Sequence, residues 1–332
     1  MKMTGIVCVS AFLSLMVPAS LAQQSQLLVV QKGDKNLAIF DPSTDTIVTQ
    51  IPVGGNTGHE VTASPDGKTA YVPIYGDSGV GKPGSDGSSM AVIDIAAQKV
   101  TGTVDFGHGV RPHHPVFGPK DGLLYVTTEL DQSVTIVDPK TLKIVGSIPT
   151  GQPESHMLAI SHDGKLGYTA NVGPGTISVL DMDARKMLKV IPISGKTQRI
   201  SISMDDRWVF TSDQTKPQLA VIETATGLVK KWINIEGLGY GSAVTPDGKL
   251  LLVAIPDKHA VAVIDLKSMK VIKSVGVASD PQEVVISRDG HTAWVSCESA
   301  NEVLGIDIAG WNITDAIQTG KLPDGMAWAE PK

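Results

Sequence analysis

Three consecutive stretches of the chain place histidine at one repeated point: His59, then His113 or His114, then His156. The same point continues as Gln198, Tyr240, Gln282 and Asp324, with a step of 42 residues from His156 onward. Counting back from the neighbouring Asp-Gly turn selects His114, whereas counting back from Tyr71, Tyr125 and Tyr168 selects His113. Imidazole suits Zn, Cu, Fe and Ni, and three rings can converge on one ion at about 2.0–2.1 Å. His59, His113, His114 and His156 are therefore candidate ligands of a transition metal (Cu, Zn or Fe) or of a metal-containing cofactor. Glu60, Glu154 and the unused member of the His113/His114 pair would orient the rings from behind. Gln198, Arg199, Tyr240, Gln282 and Asp324 would line the remaining wall and grip a polar or anionic ligand. The alternative is a wet channel in which the histidines bond one another, water and backbone.

Such a column acts as one site only if the fold gathers it, and the repeats supply the means. An alternating apolar strand ending in an acidic residue recurs seven times, at Asp41, Asp94, Asp138, Asp181, Glu223, Asp265 and Asp307. The steps are 53, 44, 43, 42, 42 and 42. A short turn and a second β-rich run follow each copy, as in Lys143-Ile144-Val145-Gly146-Ser147-Ile148, so each is a hairpin. A second hairpin carries an Asp-Gly turn at Asp66-Gly67, Asp121-Gly122, Asp163-Gly164, Asp247-Gly248 and Asp289-Gly290, with Asp205-Asp206 as a variant. Two central residues at positive φ are expected there. Each repeat thus reads as four strands, a to d, and four-stranded units at this period imply the blades of a seven-bladed, all-β propeller around a central channel. The chain starts on a strand b (27–30) and finishes on an orphan strand a, Gly325-Met326-Ala327-Trp328, whose pairing would close the ring. The loop between strands b and c shares the mouth with the histidines. Its longest copy, residues 75–89, is either a lid or a plain excursion.

Residues 1–22 read as an export signal, with Lys2 as the charged start, an apolar run over 5–17 and Ser20-Leu21-Ala22 before the cut. Residues 23–332 then form one propeller domain, periplasmic or secreted, keeping Cys297 as its single cysteine. A net charge of −6 without visible clustering argues against nucleic acid as partner. No later segment has the ~20 apolar residues of a membrane span. A monomer that binds a small molecule or an envelope protein is expected. The segment Gly79-Val80-Gly81-Lys82-Pro83-Gly84 imitates a nucleotide loop but has no helix after it to aim at a phosphate.

Tyr168-Thr169-Ala170-Asn171 with Thr176-Ile177-Ser178-Val179-Leu180-Asp181, and Tyr125-Val126-Thr127-Thr128 with Ser133-Val134-Thr135-Ile136-Val137-Asp138, resemble the YVTN-type β-propeller repeat. The resemblance covers nearly all of 23–332 and implies the seven-bladed fold. Similar propellers occur among surface-layer proteins, periplasmic binding proteins, lactonases and haem- or copper-dependent reductases, so three functions stay open. The first is an exported propeller that binds a ligand or metal-containing cofactor at the histidine mouth, with redox chemistry there. The second is a lactonase-type hydrolase in which histidine, Glu60 or Arg199 handles the ring-opening carbonyl. The third is a non-catalytic envelope scaffold.

Overall fold

The computed structural model describes Met1 and residues 25–330. Apart from Met1, the expected export signal lies outside the described residues. Within them, strands form seven four-stranded antiparallel sheets, in agreement with the expected seven-bladed propeller. Blade 1 takes strand a from the end of the chain (Pro323–Ala329) and strands b, c and d from its start (Gln26–Gln31, Asn36–Asp41, Thr46–Pro52). Gln26 pairs with Ala329 and Val29 with Met326, so the ring closes by strand pairing as expected.

Burial explains why the strands read differently in sequence. Strands b and c lie between neighbouring blades and are covered on both faces, hence continuous apolar runs such as Leu27-Leu28-Val29-Val30. Strand d is the outer edge, and its burial alternates, as over Thr46–Pro52. Apolar clusters are shared between adjacent blades: Leu28, Val30 and Ile39 of blade 1 pack with Val61, Val72 and Ile93 of blade 2.

Two local devices tie strands together within blades. At the a–b turn of blade 2, the Gly67 amide donates to the Ser64 carbonyl at 2.8 Å, and Asp66 accepts from the Ser64 hydroxyl and the Lys68 amide. Only Gly67 has positive φ (69°), so the turn is not the expected one with two left-handed residues. It is a tight turn over Pro65-Asp66 followed by one left-handed glycine, a common alternative hairpin. At the end of strand b in blade 4 (Leu166–Asn171), Asn171 satisfies its whole amide. Its oxygen accepts from Ser155 and Thr169, and its nitrogen donates to Thr176 and Ser178. One side chain thereby ties strands a, b and c at the end nearest the site.

Candidate active site at the channel mouth

In four blades strand a approaches the axis with its first residue paired to the end of strand b. Pro112 faces Thr128, Ser155 faces Asn171, Thr197 faces Asp213 and Pro281 faces Cys297. The register then shifts at a bulge in each of these four blades, re-aiming the residues that follow. The second position of this register holds His59, His113, His156, Gln198, Tyr240, Gln282 and Asp324. His113 therefore belongs to the column. His114 turns between blades, where its Nδ1 accepts the Leu158 amide at 3.2 Å and burial pushes its pKa down to about 3.

The structure brings His59, His113 and His156 together with Tyr75. Ring centroids of His59 and His113 are 5.5 Å apart, and those of His113 and His156 are stacked at 3.5 Å. Tyr75 meets His59 at 5.1 Å and His113 edge-on at 5.4 Å. Burial, reinforced by His156 and His59, holds His113 well below the ordinary imidazole pKa, and burial outweighs Glu129 in lowering His156. Both rings are therefore neutral at physiological pH. Nδ1 of each is buried without a hydrogen-bond partner. Among the described residues no three His, Cys, Asp or Glu side chains are grouped as a metal ion's ligands would be.

Carboxylates flank this cluster on both sides. His59 Nδ1 lies 3.3 Å from Asp324 Oδ2, which Lys32 Nζ also approaches at 3.1 Å. Burial alone would raise the Asp324 pKa, but Lys32, His59 and Arg199 outweigh it and hold the carboxyl well below the usual range. On the other side, Tyr75 donates its hydroxyl to Glu129 at 2.5 Å, with His156 Nδ1 at 3.5 Å from the same carboxylate oxygen. Gln198 continues the rim, its Nε2 lying 3.3 Å from His156 Nε2 and donating to the Tyr240 hydroxyl at 2.8 Å. Gln282 turns back to Asp280 at 2.8 Å.

One layer below, the next register position forms the floor. Arg199 crosses the channel and donates to Glu60 at 2.6 Å and Glu283 at 2.7 Å, while Asp324 lies at 3.4 Å. Its guanidinium also lies 4.5 Å from the centre of the Tyr240 ring. Burial, opposed by Arg199 and assisted by Glu283 and Asp324, pushes Glu60 up to about 8. Glycine makes this crowding possible: a Cβ at Gly325 would run into the Glu60 carboxylate and the His59 carbonyl.

Several expectations change here. Glu60 bonds Arg199 and orients no imidazole, and Glu154 lies against Gly81 and Gly173 in the outer loops. The carboxylates beside the rings are Asp324 and Glu129. Glu129, Lys32 and Glu298 were missed because each stands one residue past strand b, a column of its own at the same period. The long loop of blade 2 spans residues 77–85 and is held in place. Arg111 pins it through Asp86 at 2.7 Å and the Lys82 carbonyl at 2.7 Å.

The family profile described as "Lactonase, 7-bladed beta-propeller" matches residues 54–237, more than half of the chain. The 6-phosphogluconolactonase of Bacillus subtilis (strain 168) is 29% identical over 93 residues, which is 25% of this chain and only 27% of that protein. The periplasmic gluconolactonase PpgL of Pseudomonas aeruginosa superposes with a TM-score of 0.72 at 15% identity, covering 93% of this chain and 99% of that one. Hydrazine synthase of Kuenenia stuttgartiensis follows at 0.70 and 19%, covering 85% and 95%. At such identities the two structures speak for the fold alone. The profile match is to the family itself, and its limits take in His59, His113, His156 and Arg199: the chain belongs to the lactonase-type seven-bladed β-propellers.

Proposed function

We propose that the chain hydrolyses the cyclic ester of a lactone at the mouth of its channel. The observation that carries this reading is His59. Its side chain is 23% exposed, against 3% for His156, so it is the imidazole of that pair open to a substrate. Asp324 beside Nδ1 selects the tautomer that leaves Nε2 as a base, as buried carboxylates do for catalytic histidines. Nε2 of His59 would take a proton from water as the water oxygen bonds to the lactone carbonyl carbon. Collapse of the tetrahedral species breaks the ring C–O bond, and the same proton passes to the departing alkoxide, giving a hydroxy acid. The buried rings of His113 and His156 would back the site beside His59. Family membership and the named activities of PpgL and the B. subtilis relative support the same chemistry.

The test is proton release from glucono-δ-lactone above the spontaneous rate. His59→Ala should lose about 10²–10⁴-fold in kcat/KM, the usual contribution of a positioned acid–base group. Asp324→Asn should lose less in kcat/KM but also melt lower, because it breaks a buried pair with Lys32, whereas His59→Ala should leave the melting temperature unchanged as the control. Wild-type protein no faster than buffer overturns the reading.

A transition metal on His59, His113 and His156 is the second reading, favoured by the orphaned Nδ1 atoms of His113 and His156. It requires those two rings to unstack. Repeating the assay after chelation and after reloading with Cu, Zn or Fe separates the two. Among the described residues no helix is long and apolar enough to cross a membrane. With the signal-like residues 1–22 and a periplasmic structural neighbour, a periplasmic or secreted setting fits a monomer that takes small molecules from that compartment.

A further inference from the structure

Among the described residues, the cations Lys32, Arg199 and Arg111 beside the imidazole column are held by carboxylates. Lys32 lies 2.8 Å from Glu298 and 3.1 Å from Asp324. Arg199 is shared among Glu60, Glu283 and Asp324. Arg111 bonds Asp86 at 2.7 Å and lies 3.5 Å from Glu129. Those three cations thus face six carboxylates. If Glu60 and Glu283 both carry protons, as their burial favours, four negative charges still oppose three positive ones. The groups left outside these carboxylate contacts are Nε2 of His59 and the Gln198 and Tyr240 rim.

A phosphate is bound by a free guanidinium or ammonium, or by a set of backbone amides at a helix start. Neither is present at the column among the described residues. A dianion there would be placed beside Glu298 and Asp324 with no uncommitted cation, and like charge across a binding surface discriminates strongly. A polyhydroxy lactone without charge meets the imidazole, amide and phenol groups of the rim without that penalty. This also bears on Arg199, expected from sequence to grip an anion: its charge is consumed inside the floor.

We propose that Glu298 and Asp324, by occupying Lys32, are specificity-determining residues that make the mouth select uncharged lactones and reject phosphorylated ones. The proposal rests on the lactonase reading. It separates this chain's substrate from the one named for its B. subtilis relative.

Two measurements on the full chain test it. The first compares kcat/KM for glucono-δ-lactone and 6-phosphoglucono-δ-lactone, where wild type should prefer the uncharged substrate at least about tenfold. Glu298→Gln, which frees one face of Lys32, should narrow that ratio several-fold, chiefly through KM for the phosphorylated substrate. The second is calorimetric titration with 6-phosphogluconate and with inorganic phosphate, which needs no turnover. Wild type should show no saturable binding at millimolar ligand, and Glu298→Gln should gain it. A wild-type preference for the phosphorylated lactone, saturable phosphate binding by wild type, or an unchanged ratio in Glu298→Gln overturns the proposal. Turnover of neither lactone with phosphate still excluded overturns instead the lactonase reading and, with it, the substrate named here.

Discussion

His113 and His156 lie face to face with centroids 3.5 Å apart, a contact two imidazolium ions would not tolerate in a buried setting. Their neutrality is what lets the two rings stack out of water. In ¹H–¹³C spectra, the Cε1–H resonances of His113 and His114 should therefore stay at the neutral position as pH falls through 6, while an exposed imidazole moves. A titration of His113 at the ordinary value would show that water and substrate reach it freely. The three histidines were legible because the blade period keeps one register, and the choice between His113 and His114 was settled by the Pro112 and Thr128 pairing. The floor was harder to foresee. Arg199 was visible as a wall residue, but a charge network joining residues 60, 199, 283 and 324 depends on four blades meeting across an axis, which no local spacing encodes.

At the scale of the element, each blade borrows stability from its neighbour. Met326 of the closing strand is buried among Leu27, Val29 and Phe40 of its own blade and Trp294, Val303 and Ile317 of blade 7. Met326→Ala should cost about 2–5 kcal/mol, the range for truncating a buried methionine, as a lower denaturation midpoint at unchanged slope. A change below about 0.5 kcal/mol would mean that the closing strand contributes little to the folded ring. The strands themselves were readable from alternation and from the acidic residue that ends each strand c, where Asp41 accepts the Ser43 amide and Asp265 the Ser268 amide. The turn conformation was not. Asp-Gly is compatible with more than one hairpin geometry, and the deciding contact is the Gly67 amide reaching back three residues to Ser64.

For the molecule as a whole, the channel floor couples folding to pH. Glu60 has a folded-state pKa raised from 4.5 to about 8, so the folded chain holds a proton that the unfolded chain releases between those values. Its contribution is fully present below 4.5 and is lost as pH rises through about 8. Asp324, shifted the other way, contributes above the ordinary carboxyl pKa and loses that contribution in acid. Glu60→Gln keeps an acceptor for Arg199 but cannot ionise. Its melting temperature should gain on wild type as pH is raised from 6 to 9. A constant difference across that range would show that Glu60 is ionised throughout.

The pairing that closes blade 1 also fixes how the ring responds to force. Gln26, beside the start of the described chain, is matched with Ala329, beside its end, and the two strands run antiparallel from that pair inward. A pull that separates the two ends therefore loads the Gln26 and Ala329 pair first, then Leu27 and Trp328, each rung in turn. The ladder opens as a zipper and is never sheared as a unit. Resistance to heat and denaturant comes from the whole circle of blades, whereas resistance to tension is set by the strength of single rungs.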